Sequence, residues 1–584
     1  MWSDISVLLE KIFFMLGGMV VFMVGMKNMS QSLERVAGSK MRVLMSKISN
    51  NRFAGVGIGA AVTALMNSSS ATTVMLVGFV NVGVISLTQA TSIIMGANIG
   101  TTITAQFFAF AGQGDGISAT GIFALLATVG LVLTMVAKKE QIRHVGEILI
   151  GLGFIFIGLK FLSGAVGDLV ADDYWGEKIR GMFIAIGKGE TFEVWQMILL
   201  FLLGVFLTGL LQSSAAITGL IISLAGQGLI SIEMAIFITL GSNIGTCVTS
   251  ILASFGASVN ARRTAGLHLV FNVLGCVIFI IPMFWLNKIV ADWLMTISSF
   301  GADITVEATI QHAIANFHLI FNVLTTLILL PFTNVLVKLV STVIPEGKSS
   351  KKEKDVLFHF IDERFLETPA IAVPQVRKEI LSMGDMAFEN YKRSLKMLTE
   401  GDFSEKSVFD ETEKRINKLN HAITSYCTQL SSREISDLDE KKISAFFRNV
   451  SDFERIGDYA QNLTEYAARL QEDGGKFSEA ARREIAEVDE NITSLYADCR
   501  YGFENKDLSR YEQLNATEET IDRLTNGMEE AHIGRLNEGI CSSATGAVYL
   551  QVAGNLERIA DHMVNVAKSV KTYWRKDVKP VETK

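Results

Sequence analysis

The chain has 584 residues, of which 49% are hydrophobic, and its formal net charge is −7. Its mean hydropathy of +0.34 is higher than soluble proteins of this size normally reach. These values exclude an ordinary soluble enzyme fold, and the acidic balance argues against a nucleic-acid partner.

The charged residues divide the chain into two parts. Residues 1–350 carry 19 Lys and Arg and 17 Asp and Glu, whereas residues 351–584 carry 34 and 43. The first part is therefore predicted to span a membrane and the second to be soluble. The five cysteines form no Cys-x-x-Cys pair, which is typical of a reducing compartment without a disulfide framework.

The first apolar run, residues 5–26, starts beside an acidic residue and has no small-residue cleavage site, so we interpret it as a retained span. The basic segment 27–52 is predicted to lie in the cytoplasm by the positive-inside rule. The next apolar stretch, residues 53–83, is interrupted by Asn67 and three serines. Because a lipid-exposed helix rarely has such a polar centre, we predict a re-entrant hairpin of two half-helices.

The polar interruption occurs twice along the chain. Residues 63–73 read TALMNSSSATT, and residues 208–218 read TGLLQSSAAIT. Each is followed, 31 residues after its amide, by a Gly-x-Asn-Ile-Gly-Thr motif centred on Asn98 or Asn243, where we predict a helix break. A constant shift of 145 aligns residues 55–104 with the second copy at 18 of 50 positions, mostly Gly, Ser, Thr and Asn. The match indicates an internal duplication.

The two copies are predicted to be inverted. Gly18 and Gly25 match Gly151 and Gly158 at a shift of 133, so the second copy begins before the second serine motif. The loop after the first match is basic and the equivalent loop is acidic, which places them on opposite sides of the membrane. We therefore expect a first transmembrane repeat over 1–137, a second, inverted repeat with a final span over 138–345, and a linker over 346–373.

The tail, residues 374–584, shows long helical periodicity with few breakers, so the whole chain is predicted to be all-α. Residues 452–462 match residues 555–565, and we expect two consecutive three-helix bundles. Each copy places two carboxylates on one helix face, namely Glu454 and Asp458 in the first, and Glu557 and Asp561 in the second. Two interpretations stay open here: a site for divalent metal ions, or a solvated face paired with neighbouring arginines.

The serine motifs have two interpretations as well. Half-helix N-termini present unpaired N–H groups that attract an oxyanion, and exposed carbonyl and hydroxyl oxygens suit a cation such as Na⁺. The alternative is that small residues only let helices pack closely, but the duplication favours a transport site. Sodium is favoured over protons, because the nearby carboxylates Asp115 and Glu233 lie outside both motifs.

A His-x-x-x-Asn pair also occurs twice, as His268 with Asn272 and His318 with Asn322. Such pairs on membrane helices could line a pathway. Hydrogen bonding between helices is their commoner role, so we favour a scaffold function.

These motifs resemble the type II sodium-dependent phosphate cotransporter family, whose two inverted repeats each contain a Gln-Ser-Ser-Ser motif. The tail looks like a PhoU domain, a phosphate-regulatory helical protein with Glu-x-x-x-Asp metal motifs. The chain departs from the family pattern at two positions. Asn67 replaces the first Gln, and Ala215 replaces the third Ser of the second motif, which could alter a ligand of the substrate or of sodium.

The resemblance implies a non-enzymatic, multi-pass inner-membrane symporter that couples inorganic phosphate to Na⁺ by alternating access and has a cytoplasmic PhoU-like regulatory domain. The alternatives are transport of another oxyanion or organic anion, and a non-transporting phosphate sensor. Membrane lipid, a homodimer partner, a cytoplasmic regulatory partner and a divalent or iron-type metal in the tail are also expected. The residues so implied are Asn67, Ser68, Ser69, Ser70, Gln212, Ser213 and Ser214 for phosphate, Thr63, Asn98, Thr101, Thr208, Asn243 and Thr246 for sodium, and Glu454, Asp458, Glu557 and Asp561 for metal.

Overall fold

The computed structural model describes residues 2–46, 51–110, 119–188, 192–299, 305–346, 357–433, 435–507, 509–538 and 542–573. Over these residues the secondary structure is helical throughout, with no β-strand, which confirms the all-α prediction. The chain divides into two compact units, residues 1–352 and 353–584. Asp115, one of the two carboxylates near the serine motifs in sequence, lies outside the described residues.

The first unit contains fourteen α-helices among its described residues. They are α1 (Trp2–Ser46), α2 (Arg52–Met66), α3 (Ser69–Asn81), α4 (Leu87–Phe110), α5 (Ala119–Val136), α6 (Glu140–Ala171), α7 (Trp175–Phe183), α8 (Val194–Leu211), α9 (Ser214–Gly226), α10 (Ile232–Gly245), α11 (Cys247–Ala253), α12 (Val259–Ser298), α13 (Val306–Leu329) and α14 (Thr333–Val343). Seven helical segments of this unit are long and apolar enough to cross a membrane, whereas α2, α3 and α9 are shorter apolar helices. The hairpin helix α8 is one of the seven and α5 is one of the shorter apolar helices, so helix length alone does not separate spans from half-helices.

Helices α1 and α6 show that the duplication is an inverted repeat. A Cβ atom built on Gly18 would lie 2.6 Å from the backbone N of Leu162, and one built on Gly151 would lie 2.6 Å from the backbone N of Met29. The shift of 133 that relates the repeats converts the first contact into the second. Because the contacts are reciprocal and the two helices run in opposite directions, a pseudo-twofold axis passes between α1 and α6.

The serine stretches each form a helical hairpin. In the first repeat a Cβ on Gly59 would lie 2.0 Å from the carbonyl O of Ile93, and one on Gly100 would lie 2.8 Å from the Cβ of Thr63. Helices α2 and α4 therefore run parallel and in close contact. Since α3 connects the end of α2 to the start of α4, it must run back along α2. The position of this hairpin within a bilayer stays a prediction.

The second hairpin repeats these contacts. A Cβ on Gly204 would lie 2.2 Å from the carbonyl O of Ile238, and one on Gly245 would lie 2.6 Å from the Cβ of Thr208. Both contacts are the first-repeat contacts shifted by 145 residues. Helices α8, α9 and α10 therefore have the same arrangement as α2, α3 and α4.

The helix break predicted after each hairpin is wrong in the first repeat. Helix α4 runs without interruption from Leu87 to Phe110 through the glycines. In the second repeat the helix is interrupted only at Thr246, between α10 and α11. The glycines serve close helix packing instead, because a Cβ on Gly96 would lie 2.0 Å from the carbonyl O of Val56.

The described residues of the second unit form six long helices: α15 (Pro369–Glu400), α16 (Lys406–Ser431), α17 (Asp437–Glu472), α18 (Glu479–Asn505), α19 (Tyr511–Asn537) and α20 (Ser543–Tyr573). They pack as two three-helix bundles that meet through α17 and α20. Helix α15 begins before Pro374, where we expected the domain to start, and includes that proline. The buried Glu379 carboxylate accepts hydrogen bonds from the backbone N–H groups of His359 and Phe360 at 2.9 and 2.6 Å, so residues preceding α15 belong to this unit.

Candidate functional site

The first serine turn exposes backbone donors at the N-terminus of α3. Asn67 ends α2 in the left-handed conformation with φ 51°, and Ser68 is extended. The Ser68 hydroxyl accepts a hydrogen bond from the N–H of Ala71 at 3.2 Å and so caps the helix. The N–H groups of Ser69 and Ser70, the first two residues of α3, have no acceptor within the helix. They are available to an anion at the positive end of the helix dipole.

The second serine turn has the same backbone conformation. Gln212 ends α8 with φ 52°, and the Ser213 hydroxyl accepts from the N–H of Ala216 at 3.2 Å. The first two N–H groups of α9, those of Ser214 and Ala215, are likewise left without an intrahelical acceptor. Left-handed conformations are uncommon for residues other than glycine. In the described chain only Asn67, Gln212 and Lys506 adopt one, so two of three occur at the serine turns.

The side chains before the two turns differ. The Asn67 Oδ1 accepts a hydrogen bond from the Thr104 hydroxyl on α4, and its buried Nδ2 has no acceptor. The Ser30 hydroxyl of α1 donates to the carbonyl of Met66, which fixes the end of α2. The Gln212 side chain is exposed. The first turn is thus braced from two sides, whereas the second has a free amide.

The two turns lie at a similar level along α4. Phe22 connects the repeats: its ring is 5.2 Å from that of Phe108 on α4, and a Cβ on Gly219 of α9 would lie 2.9 Å from it. Helices α4 and α9 run in the same direction, because α9 is antiparallel to α10 and the repeats are inverted. Thr104, which contacts the first turn, precedes Phe108 by four residues, and Ser214 precedes Gly219 by five. Both turns therefore lie on the same side of the Phe22 contact.

From residue 53 onward the hairpins contain no charged residue, and in the helices that follow them the described charge is Glu233, in the first turn of α10. Residues 53–110, 194–232 and 234–261 contain no Lys, Arg, Asp, Glu or His. Any anion bound at the turns must therefore be held by backbone N–H groups, hydroxyls and amides. Such neutral donors are sufficient at helix N-termini, where the dipole also contributes.

The threonines expected to bind sodium are hydrogen-bonded in the structure. The Thr63 hydroxyl donates to the Thr72 hydroxyl at 3.0 Å, within the first hairpin. The Thr208 hydroxyl donates to the Ser242 hydroxyl at 2.8 Å, which ties the second hairpin to α10. The other two donate to carbonyl oxygens of their own helix, Thr101 to Ala97 at 3.3 Å and Thr246 to Ser242 at 2.9 Å. These bonds use the hydroxyl hydrogens and leave the oxygen lone pairs available for a cation.

Asn98 and Asn243, the other two sodium candidates, are buried at 5% exposure each. The Asn98 amide donates to the carbonyl of Ile94 at 3.0 Å, and the Asn243 amide donates to that of Thr239 at 2.9 Å. In both residues the nitrogen is tied to the preceding turn of the same helix, and the carbonyl oxygen points away from it.

Acidic residues on two further helices of the tail lie close to the two acidic motifs, and they were not among the predicted site residues. Burial, together with the charges of Asp458 and Glu454, raises the pKa of Glu413 on α16 to about 7. In the second bundle burial and then the charge of Asp561 raise the pKa of Asp522 on α19. The missed signal was the spacing, because Glu413-x-x-x-Asn417 and Glu518-x-x-x-Asp522 copy the spacing of the two recognised motifs.

The expected tail metal is not supported. Among the residues that the structure describes, no group of three or more His, Cys, Asp or Glu side chains is arranged to hold a metal ion. In each motif the glutamate is partly buried, and burial, followed by the charge of the neighbouring aspartate, raises the pKa of Glu454 and of Glu557. We therefore derive no step through a metal ion.

Comparison with known proteins matches both units. A family model described as Na+/Pi-cotransporter matches residues 21–164 and 195–304, and one described as PhoU domain matches residues 380–467 and 485–570. The "Putative inorganic phosphate export protein YjbB" of Escherichia coli (strain K12) is 24% identical over 541 residues, 92% of this chain and 93% of that protein. The "Uncharacterized protein YqeW" of Bacillus subtilis (strain 168) is 28% identical over 328 residues, 56% of this chain and 95% of that protein.

One solved structure is similar to the tail. It is the phosphate transport system regulatory protein PhoU from Streptococcus pneumoniae, which is 20% identical, with a TM-score of 0.32, over 36% of this chain and 98% of that chain.

Proposed function

Because the chain belongs to the Na+/Pi-cotransporter family in its membrane part and continues into a PhoU domain, we propose that it carries inorganic phosphate across the membrane, coupled to Na⁺. It is a multi-pass membrane protein with a soluble tail, which lies in the cytoplasm in this family. The family and the relatives indicate a transporter rather than an enzyme. Alternating access would expose the site between the hairpins first to one side and then to the other.

The observation that carries this proposal is the duplicated serine turn. Each turn combines a left-handed amide residue with a serine-capped half-helix, and each leaves two backbone N–H groups without an intrahelical acceptor. Phosphate has four oxygens around one centre, so two opposed sets of N–H and hydroxyl donors can hold it from both sides. The buried Nδ2 of Asn67, which has no acceptor in the protein, is a further donor for a phosphate oxygen.

Sodium coupling is supported by the oxygens beside the turns. The hydroxyls of Thr63, Thr101, Thr208 and Thr246 and the carbonyls of Asn98 and Asn243 are neutral oxygen ligands, which suit a hard monovalent cation. The hairpins provide no titratable group for a proton in its place. A bound cation also offsets the charge of phosphate at a site that contains no Lys or Arg.

The experiment is phosphate uptake into proteoliposomes containing the full chain, with and without an inward Na⁺ gradient. We expect Na⁺-dependent accumulation that Ser69→Ala or Ser214→Ala strongly reduces, because each change removes a hydroxyl at a turn. The matched control is Ser231→Ala. Ser231 caps α10 by accepting from the N–H of Met234 at 3.4 Å, outside the turns. Phosphate accumulation that does not depend on the Na⁺ gradient would refute the coupling. Stronger competition by another oxyanion or an organic anion would refute phosphate as the substrate.

A second candidate is phosphate export, favoured by the similarity to the "Putative inorganic phosphate export protein YjbB", which covers 92% of this chain. The same site would serve both directions, because alternating access is reversible. Liposomes loaded with phosphate distinguish the two. Efflux that exceeds uptake under opposed gradients of equal size would favour export, and the reverse would favour import.

We further propose that the PhoU domain regulates transport through a cytoplasmic partner. A homodimer and a tail metal stay predictions. Metal content of the purified full chain before and after Glu454→Ala with Asp561→Ala tests the metal. Unchanged content would leave these carboxylates as an acidic face only.

A further inference from the structure

Four buried asparagines of the membrane unit make the same hydrogen bond. In each, the side-chain amide nitrogen donates to the backbone carbonyl four residues earlier. The pairs are Asn98 with Ile94 at 3.0 Å, Asn243 with Thr239 at 2.9 Å, Asn272 with His268 at 2.9 Å, and Asn322 with His318 at 2.9 Å. This bond fixes the donor end of each amide to its own helix, so the carbonyl oxygen is left for a partner other than that backbone carbonyl.

Two of these asparagines lie level with each other between α4 and α13. The Thr326 hydroxyl donates to the carbonyl of Met95 at 3.3 Å, and Gln106 donates to Asn316 at 3.1 Å, so the helices are antiparallel. Asn98 follows Met95 by three residues, and Asn322 precedes Thr326 by four. At 1.5 Å of rise per residue, the two asparagines differ in level by about 1.5 Å. Spacings of three and four residues also keep them on the contacting faces.

The other two asparagines repeat this arrangement between α10 and α12. The Cys276 thiol donates to the carbonyl of Leu240 at 3.1 Å. Asn243 follows Leu240 by three residues, and Asn272 precedes Cys276 by four. The contact is the same as that between α4 and α13, with residues of α4 shifted forward by 145 and residues of α13 shifted back by 50. The asparagine pair is therefore duplicated by the pseudo-twofold axis.

The carbonyl oxygens on the later helices have no donor. Asn272 and Asn322 are each 1% exposed, and the Oδ1 atom of each is buried without a hydrogen-bond partner. The same shift of 50 residues relates Gly275 of α12 to Thr325 of α13. These two residues pack against each other between the two helices. Beside that contact the Thr325 hydroxyl is buried without a partner as well. Buried acceptors that face no donor are costly, and a bound cation would satisfy them.

We propose that each asparagine pair, Asn98 with Asn322 and Asn243 with Asn272, binds one Na⁺ ion between its two helices. This inference rests on the proposed Na⁺ coupling and adds Asn272 and Asn322 to its ligands. The ligands are neutral oxygens, so the site suits a monovalent rather than a divalent cation. Since α4 and α10 also pack against the hairpin helices α2 and α8, an ion at either pair stabilises the helix that supports a serine turn.

The test measures Na⁺ binding by the purified full chain, for example as ²²Na⁺ retained on immobilised protein, without any transport. We expect Asn322→Leu and Asn272→Leu each to weaken Na⁺ binding by about tenfold or more, as loss of metal-site groups commonly does. The double variant should lose saturable binding. Asn322→Asp keeps the oxygen and should retain binding. The matched control is Asn316→Leu on the same helix, because the carbonyl of Asn316 is already paired with Gln106.

The outcomes separate this inference from the proposed function. If the wild type binds Na⁺ and the double Leu variant binds it equally, the asparagine pairs are not ligands, whereas the proposed coupling stands. If the wild type shows Na⁺-driven phosphate uptake but Asn316→Leu weakens binding as much as Asn322→Leu, general damage to α13 explains the loss and the inference fails. If the wild type binds no Na⁺ at all, the inference and the coupling both fail, and the pairs hold water.

Discussion

The two hairpins have the same backbone and different polar side chains. Their left-handed residues differ by one degree in φ, and their serine caps have the same length. In the first half, however, the Thr104 hydroxyl donates to Asn67, whereas the hydroxyl of its counterpart Thr249 is buried without a partner. The exposed Gln212 leaves that hydroxyl unpaired. The backbone donors are thus common to both halves, whereas the side-chain hydrogen bonds to Thr104 and Ser30 brace the first turn.

The shared backbone can be tested first, where the largest effect is expected. Gly59→Ala and Gly204→Ala should both sharply lower the unfolding temperature in detergent, because a Cβ would lie 2.0 and 2.2 Å from the carbonyls of Ile93 and Ile238. Overpacking of this kind costs about 1–3 kcal/mol or more. Gly57→Ala is the control, since nothing lies within 4 Å of its Cβ. If the protein tolerated one change but not the other, the two hairpins would not be packed in the same way.

Thr104 and its counterpart Thr249 test the difference in side-chain hydrogen bonding between the two halves. Thr104→Val should destabilise the protein by about 1–3 kcal/mol, because the partly buried Asn67 oxygen loses its donor. Thr249→Val should be neutral or slightly stabilising, because it removes a hydroxyl that has no partner. Thermal unfolding of both purified variants measures this. Equal losses would mean that the second turn is braced in the same way as the first.

Glycine at the left-handed positions separates bracing from substrate contact. Gln212→Gly should keep stability, because glycine adopts positive φ readily, while raising the phosphate concentration for half-maximal transport about tenfold, or about 1.4 kcal/mol. Asn67→Gly should weaken stability and transport together. Phosphate uptake and thermal unfolding of the same preparations provide both readouts. If Gln212→Gly transports like the wild type, its free amide does not contact the substrate.

The smallest expected effect concerns the hydrogen bonds that hold the hairpins. A double-mutant cycle of Thr63→Val and Thr72→Val should show coupling of about 0.5–1.5 kcal/mol. The corresponding cycle in the second half is Thr208→Val with Ser242→Ala, since that hairpin is tied to α10 instead. A Thr63 cycle with no coupling would contradict the bond within the first hairpin.

The fold was largely predictable from the sequence because its signals are local or duplicated. Helical periodicity, the charge division and the repeated serine motif indicated the membrane unit, its inverted repeats, the two interrupted hairpins and the six tail helices. The structure agrees in each case on the order of elements. Helix ends were less predictable: α1 extends from Trp2 to Ser46, well beyond the apolar run 5–26 that was expected as the first span. Apolar composition marks the part of a helix inside a membrane and not where the helix stops.

The candidate site was predictable only in part. The residues of the serine turns were found because polar side chains in an apolar stretch stand out. The glycines of residues 96–100 were misinterpreted as a break, because glycine weakens a helix and also lets another helix approach, and sequence alone does not separate these roles. Asn272 and Asn322 were assigned to the scaffold, because hydrogen bonding between helices is the commoner role of such pairs. The asparagines level with them, on α10 and α4, are distant in sequence.

By itself the sequence determined that one fold occurs twice, that its halves are inverted and that uncharged polar groups interrupt each half, because spacing and charge are properties of the chain. Tertiary structure alone decided that α4 stays continuous and that the Thr104 hydroxyl donates to Asn67 while the Thr249 hydroxyl stays unpaired. It also decided that asparagines of four helices lie in two pairs at the same level. These features depend on how helices far apart in the chain pack, and the packing is set by shape and hydrogen bonding across the interfaces.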